Sequence, residues 1–161
     1  MKKLAIVSLL ALAGAAAQAQ NIYGDIAYQM HDADLTTDPA TLRATLGYEF
    51  NSQLAGEVML GISARDGEQS GVTAKLDHLF GIYAKPKVKL NDSFELYGRL
   101  GYVSSKVSAS AGGSSISDSS SGLSYGIGAS YYINPSLSLN VDYMDFDELE
   151  GGIAFGVKYT F

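Results

Sequence analysis

His31 and His78 are the only imidazoles in this 161-residue sequence, and so the first candidates for proton transfer near neutral pH. A hydrolytic site would need one of them within reach of a serine hydroxyl and oriented by an acid. Asp66 and Asp77 precede His78 and serine is abundant, yet no local motif ties either histidine to a particular serine. The carboxylates Asp32, Asp34, Asp38, Asp145, Asp147, Glu148 and Glu150 are oxygen ligands of the kind hard cations prefer. The spacing Asp145-x-Asp147-Glu148-x-Glu150 lacks the glycine turn of a calcium loop, and such charge runs are mostly solvated faces. Weak Ca²⁺ or Mg²⁺ bridging to lipid phosphates is the most this cluster suggests. With no cysteine there is neither a thiolate metal site nor a disulfide. The sequence therefore assigns no catalytic residue, metal or cofactor.

A different set of charges is better organised. Asp25, Arg43, Glu49, Glu57, Lys85, Lys87, Glu95, Arg99, Asp142 and Lys158 comprise five acids and five bases, and they share one phase of a two-residue alternation. Ile153, Phe155, Val157, Tyr159 and Phe161 alternate with Ala154, Gly156, Lys158 and Thr160, and Leu137, Leu139, Val141 and Tyr143 alternate with Ser138, Asn140 and Asp142. Period two marks β-strands. Eight such segments are predicted, near 22–30, 41–50, 53–65, 77–90, 94–105, 122–133, 137–146 and 151–161. Most have the length of a tilted transmembrane strand rather than that of an average soluble one.

The connections alternate as well. Residues 51–52, 91–93 and 134–136 are tight turns rich in Asn, Ser, Asp and Pro. Links at 31–40, 66–76 and 106–121 are longer, and 147–150 is short. The Ser/Ala/Gly-rich segment 106–121 is expected to be a flexible exposed loop. Short turns at one end and longer loops at the other characterise membrane barrels. The apolar phase would then face lipid. The charged phase would pair inside a lumen just wide enough for side chains to fill, centred on Arg43 and Arg99. Phe50, Phe94, Tyr131, Tyr159 and Phe161 are expected at the periplasmic rim, and Tyr28, Phe80, Tyr102, Tyr125 and Tyr143 at the outer rim. Pro86 falls on the apolar phase, which predicts a bulge, strand end or register slip there.

Composition agrees with this organisation. Hydrophobic residues make up 47% and charged residues 17%, and mean hydropathy is +0.06. These values exclude a long disordered polymer. Only one short apolar run, near the N-terminus, is continuous, which excludes a polytopic helical protein. That run follows Met1-Lys2-Lys3 and leads into Ala17-Gln18-Ala19, the pattern of a secretory signal cleaved after Ala19. The expected domains are a signal peptide at 1–19 and a barrel at 20–161. Removing Lys2 and Lys3 takes the formal charge from −6 to −8, which argues against nucleic acid as a partner.

The terminal segment Ala154-Phe155-Gly156-Val157-Lys158-Tyr159-Thr160-Phe161 and the stretch Gly122–Tyr132 resemble the small eight-stranded outer-membrane β-barrel superfamily, which includes the OmpA transmembrane domain, OmpX and Ail-like surface proteins. The resemblance covers nearly all of the mature chain. It implies an all-β, antiparallel up-and-down transmembrane barrel in the outer membrane of a Gram-negative bacterium, with no further domain after Phe161. It also implies Gly156, Tyr159 and Phe161 as a C-terminal assembly signal, although Ala154 departs from the polar position of that motif. Implied partners are outer-membrane lipid and lipopolysaccharide, the barrel-assembly machinery and a protein partner at the extracellular loops, with the barrel itself a monomer. A structural or adhesin-like role is expected first. A narrow low-conductance pore and a lipid-modifying enzyme are the alternatives.

Overall fold

The structure is a computed structural model that describes residues 21–31, 38–69, 72–111, 114–146 and 149–161. The expected signal peptide lies outside the described residues. Eight long strands form the wall: β1 (Ile22–His31), β2 (Ala40–Asn51), β3 (Leu54–Arg65), β5 (Val72–Lys89), β6 (Phe94–Ala111), β7 (Ser114–Tyr132), β8 (Leu137–Phe146) and β9 (Leu149–Thr160). A three-residue strand, β4 (Gly67–Gln69), folds back on the start of β5. Each long strand pairs antiparallel with the next, and β1–β9 and β3–β5 pairings complete the circle. Closure leaves the wall without an open edge, as a strand structure in lipid requires.

Alternation dictates the cross-section. Ile26, Leu46, Ile127 and Phe155 on four different strands stand 55–70% exposed, while Asp25, Ala27, Thr45, Gly47 and Ala154 beside them point inward and are buried. An apolar exterior around a polar interior is the arrangement that lipid favours. The three tight turns share one device. The Asn51 side-chain oxygen accepts from the Gln53 amide, Asn91 from Ser93 and Phe94, and Asn134 from Ser136 and Leu137, all at 2.8–2.9 Å. These asparagine turns define the turn end of the barrel. Ring pairs Tyr48–Phe50, Phe94–Tyr131 and Tyr159–Phe161 belt that end on the outside, with centroids 5.1–5.4 Å apart.

Two expectations about the connections are corrected. Residues 106–111 and 114–121 are paired strand instead of a flexible loop: β6 and β7 stay paired from Phe94↔Tyr131 to Ala111↔Ser114. Small residues on both strands fit a flat ladder, whose backbone hydrogen bonds replace those to water. Likewise 72–76 extends β5 against β6, and 67–69 pairs with it. The expected slip at Pro86 is absent. Ala84 faces Leu100 and Lys87 faces Tyr97, so no residue is inserted between them. Gly98 lies beside the proline ring, and even a Cβ there would stand 3.6 Å from Pro86 Cγ, an ordinary contact. The irregularity of this ladder lies instead between Leu76 and His78.

Candidate functional site

Inward side chains fill the lumen in three layers. The middle layer centres on Arg99 of β6. Its Nε donates to Glu57 Oε2 at 2.6 Å and its Nη1 to Asp142 Oδ2 at 2.9 Å. Asp142 also accepts from Arg43 Nη2 at 2.7 Å, and Lys85 Nζ lies 3.1 Å from Glu57 Oε1. Tyr23 donates to Glu57 at 2.7 Å and Tyr97 to Asp142 at 3.2 Å. Lys85 Nζ stands 4.1 Å from the centre of the Tyr97 ring, a cation–π contact. Asp25 accepts from the Asn140 side-chain amide. Strands β1, β2, β3, β5, β6 and β8 thus meet across the barrel axis through charge-assisted hydrogen bonds, the strong class of such bonds.

Nearer the turn end lies a second layer. Lys87 Nζ is 2.5 Å from Glu49 and 3.6 Å from Glu95, and Lys158 Nζ is 3.5 Å from Glu95. Tyr132 joins them, accepting from Lys158 at 2.8 Å and donating to Glu95 at 3.1 Å. All ten charges of the inward phase therefore line the lumen, Glu49 being the most accessible at 23% side-chain exposure.

The third layer, toward the loop end, is largely apolar, with Gln29, His31, Thr41 and Ser124 buried beside it. Met59, Leu79, Tyr83, Val103, Met144 and Phe146 pack together with Leu76 against them. The expectation of a wholly polar interior is corrected here. The inward phase changes character along each strand, and the apolar layer covers the ionic layer on the loop side. Sequence reasoning also missed the inward tyrosines. Tyr23, Tyr83 and Tyr97 are buried, and their strand partners are Gly47, Gly101 and Gly128. A Cβ on any of these glycines would collide with the facing ring, so each glycine is the seat of a tyrosine. The missed signal was phase: Tyr23 precedes Asp25 by two residues, Tyr83 precedes Lys85, and Tyr97 lies between Glu95 and Arg99.

The remaining candidates are dispersed. His31 is buried, with Nε2 2.9 Å from Thr41 Oγ1 and its ring 6.3 Å from that of Phe146. His78 is exposed; Asp77 accepts from Ser108 and Asp66 from Ser63. Among the described residues, no group of three or more His, Cys, Asp or Glu is placed to hold a metal ion. Asp32, Asp34, Asp147 and Glu148 lie outside the described residues, as does the Glu150 side chain. Of the terminal motif, Tyr159 is half-exposed on the outer wall, and the Phe161 amide donates to Ile22 O at 3.0 Å across the β1–β9 seam. Gly156 lies at that seam, where a Cβ would stand 2.9 Å from the Ala27 Cβ.

Residues 4–161 match the family described as outer membrane protein beta-barrel domain. No curated protein sequence matches. Among solved structures, the chain is similar to Ail, the attachment invasion locus protein of Yersinia pestis, crystallised with the heparin analogue sucrose octasulfate. The identity is 25% and the TM-score 0.62, over 88% of this chain and 97% of that one. It is also similar to Neisserial surface protein A, at 20% identity and TM-score 0.66 over 87% and 96%. The N-terminal barrel domain of Pseudomonas aeruginosa OprF aligns at 15% identity and TM-score 0.65 over 89% and 100%. The last two likenesses speak to the fold alone.

Proposed function

This chain belongs to the outer membrane protein β-barrel family, whose place is the outer membrane of Gram-negative bacteria, and from that premise we propose that it is a surface-interaction protein with a plugged lumen. The loop end faces outward and presents a β-ribbon to extended segments of other proteins. The observation that carries this reading is the unpartnered side of β7. Its ladder with β8 starts at Ser124, so among the described residues 114–123 are hydrogen-bonded on the β6 side alone. From Lys106 to Ala111 the ribbon runs about 20 Å. Exposed edges are normally blunted by Lys, Pro or bulges, yet 114–123 contains one charged residue, Asp118, and no Lys or Pro. Ile116, 75% exposed, offers an apolar anchor on an otherwise serine-rich strand.

Strand addition supplies affinity through main-chain hydrogen bonds and selectivity through alternate side chains. A second copy in the same membrane is a poor occupant. Strands tilted about 35–45° acquire the opposite tilt on rotation about the membrane normal, so two such edges would cross at roughly 70–90°. Heparin-like polymers are also disfavoured. Arg65, Lys75 and Lys106 are few against the acids of the loops, whatever the Ail complex shows for Ail. Opposing a pore is the filled lumen, with its ionic layers beneath an apolar one.

Adhesion of cells displaying the chain to immobilised matrix proteins tests the reading, with deletion of 107–118 and Ser119→Pro as the variants. Both are expected to abolish binding while the protein retains its heat-dependent gel mobility. Undiminished binding by both variants would overturn the assignment to the ribbon. Channel events in a planar bilayer would favour the pore.

A further inference from the structure

On the premise that the ribbon accepts a further strand, we infer that Asp118 selects it: the segment taken, from another protein, carries a Lys or Arg two residues from an apolar side chain. Register fixes the faces of the ribbon. Val103 and Ser105 of β6 are buried in the lumen, so Val107 and Ala109 further along share the axis side. Their partners on β7 are Asp118 and Ile116. Leu76, opposite Val107 on β5, packs on the apolar layer of the lumen. The axis side of the ribbon thus continues that layer outward and ends, at the free edge, in one apolar and one acidic group.

That acid guards the edge. The Tyr132 amide donates to Ser93 O beside β6, and the Ile133 amide to Leu137 O beside β8. Main-chain groups alternate in direction along a strand, and β7 keeps its register with β6 throughout. The N–H groups of Ser117, Ser119 and Ser121 therefore point to the free side. The Ser119 amide is already taken: it donates to Asp118 Oδ1 at 2.9 Å. A strand adding here displaces the carboxylate from that donor. Among the described residues Asp118 forms no ion pair, and Lys75 and Lys106 lie on the opposite face, paired with Ser108 and Ser119. A cation for Asp118 must come from the incoming strand. Opposite charges facing across strands attract and like charges repel. Asp118 and Ile116 also occupy the non-hydrogen-bonded positions of the free edge, where an antiparallel partner brings side chains closest.

Two copies of this chain fail the same condition. Segment 114–123 contains no Lys or Arg, so no register of one edge on another brings a cation to Asp118. A charge on the covered side of an edge strand discourages self-pairing. Specificity then comes from what the edge refuses as well as from what it takes.

The test is binding of labelled peptides of about eight residues to the full barrel in neutral detergent micelles, read by fluorescence anisotropy. The peptides share a Ser/Thr frame with one Ile and, two residues before or after it, Lys, Gln or Glu. The wild type is expected to bind the Lys peptide about fivefold more tightly than the Glu peptide, with Gln between them. Asp118→Asn, which keeps an acceptor for the Ser119 amide, should bind all three alike, and Asp118→Lys should reverse the order. Ile116→Ser should weaken all three and leave the order unchanged. Equal affinities in the wild type, all lost in Ser119→Pro, would overturn the role of Asp118 while leaving the ribbon a strand acceptor. A Lys preference undiminished in Asp118→Asn would overturn it too. No binding of any peptide, or binding that survives Ser119→Pro, would instead overturn the ribbon reading. Asp118 and Ile116 are exposed, so heat-dependent gel mobility should be the same in every variant.

Discussion

Arg99 and Glu57, 42 residues apart in sequence, form a two-point ion pair across the barrel, Nε to Oε2 at 2.6 Å and Nη2 to Oε1 at 3.3 Å. Glu57 also holds Lys85, and Arg99 also holds Asp142, so this pair links the cations and anions of the middle layer. Pairing of this kind offsets the cost of burying charge in a lumen filled by side chains.

Removing Glu57 leaves Lys85 without its carboxylate partner and Arg99 with Asp142 alone. Glu57→Gln is therefore expected to destabilise the barrel by about 3–5 kcal/mol, the usual cost of breaking a buried pair. Urea unfolding in lipid vesicles measures it. Replacing both residues, as Glu57→Leu/Arg99→Met, should cost less than the sum of the two single changes. Strict additivity would show that the pair is not coupled.

Tyr23 sits on Gly47, where a Cβ would strike the ring. Gly47→Ala should cost about 1–3 kcal/mol through overpacking. The loss should shrink markedly in a Tyr23→Leu background, because the colliding atoms are gone. Equal losses in both backgrounds would place the strain elsewhere.

Ile127 and Ile116 lie on the same strand, and both are largely exposed, at 70% and 75%. Ile127 belongs to the wall and Ile116 to the ribbon. Ile127→Arg should cost about 2–4 kcal/mol if it faces the middle of the bilayer. Ile116→Arg should stay within about 0.5 kcal/mol, as an exposed surface change does. Similar costs at the two positions would misplace the membrane boundary.

Phe161 pairs with Tyr159 on the outer wall, ring centroids 5.4 Å apart, and its amide closes the seam to Ile22. If the terminal residues also serve as an assembly signal, deleting Phe161 should reduce surface accumulation in cells far more than it slows refolding in detergent. Pulse-chase labelling compared with refolding rates separates the two effects. Equal slowing in both would assign the residue to folding alone.

Much of this was legible in the chain because a strand has period two. One charged phase and one apolar phase, repeated eight times, leave a single consistent way to face lipid, and the ten inward charges follow from it without any structure. The asparagine turns were equally visible. The ribbon was not, because Ser108–Ser115 has no apolar phase to reveal its register; only pairing with the neighbouring strands turns such a segment into a ladder. The tyrosine seats were half visible. Phase points Tyr23, Tyr83 and Tyr97 inward, but the facing glycines come from other strands, and stagger decides which.

By itself, then, the sequence determined which side of the wall each residue faces. Tertiary structure alone decided who meets whom across the lumen: Arg43 with Asp142 rather than with Glu57, Lys158 with Glu95, and methionines with Phe146 in an apolar layer above them. The physical reason is that facing is a local property of backbone geometry, whereas partners are set by the closure and shear of the whole sheet. No single strand carries that information.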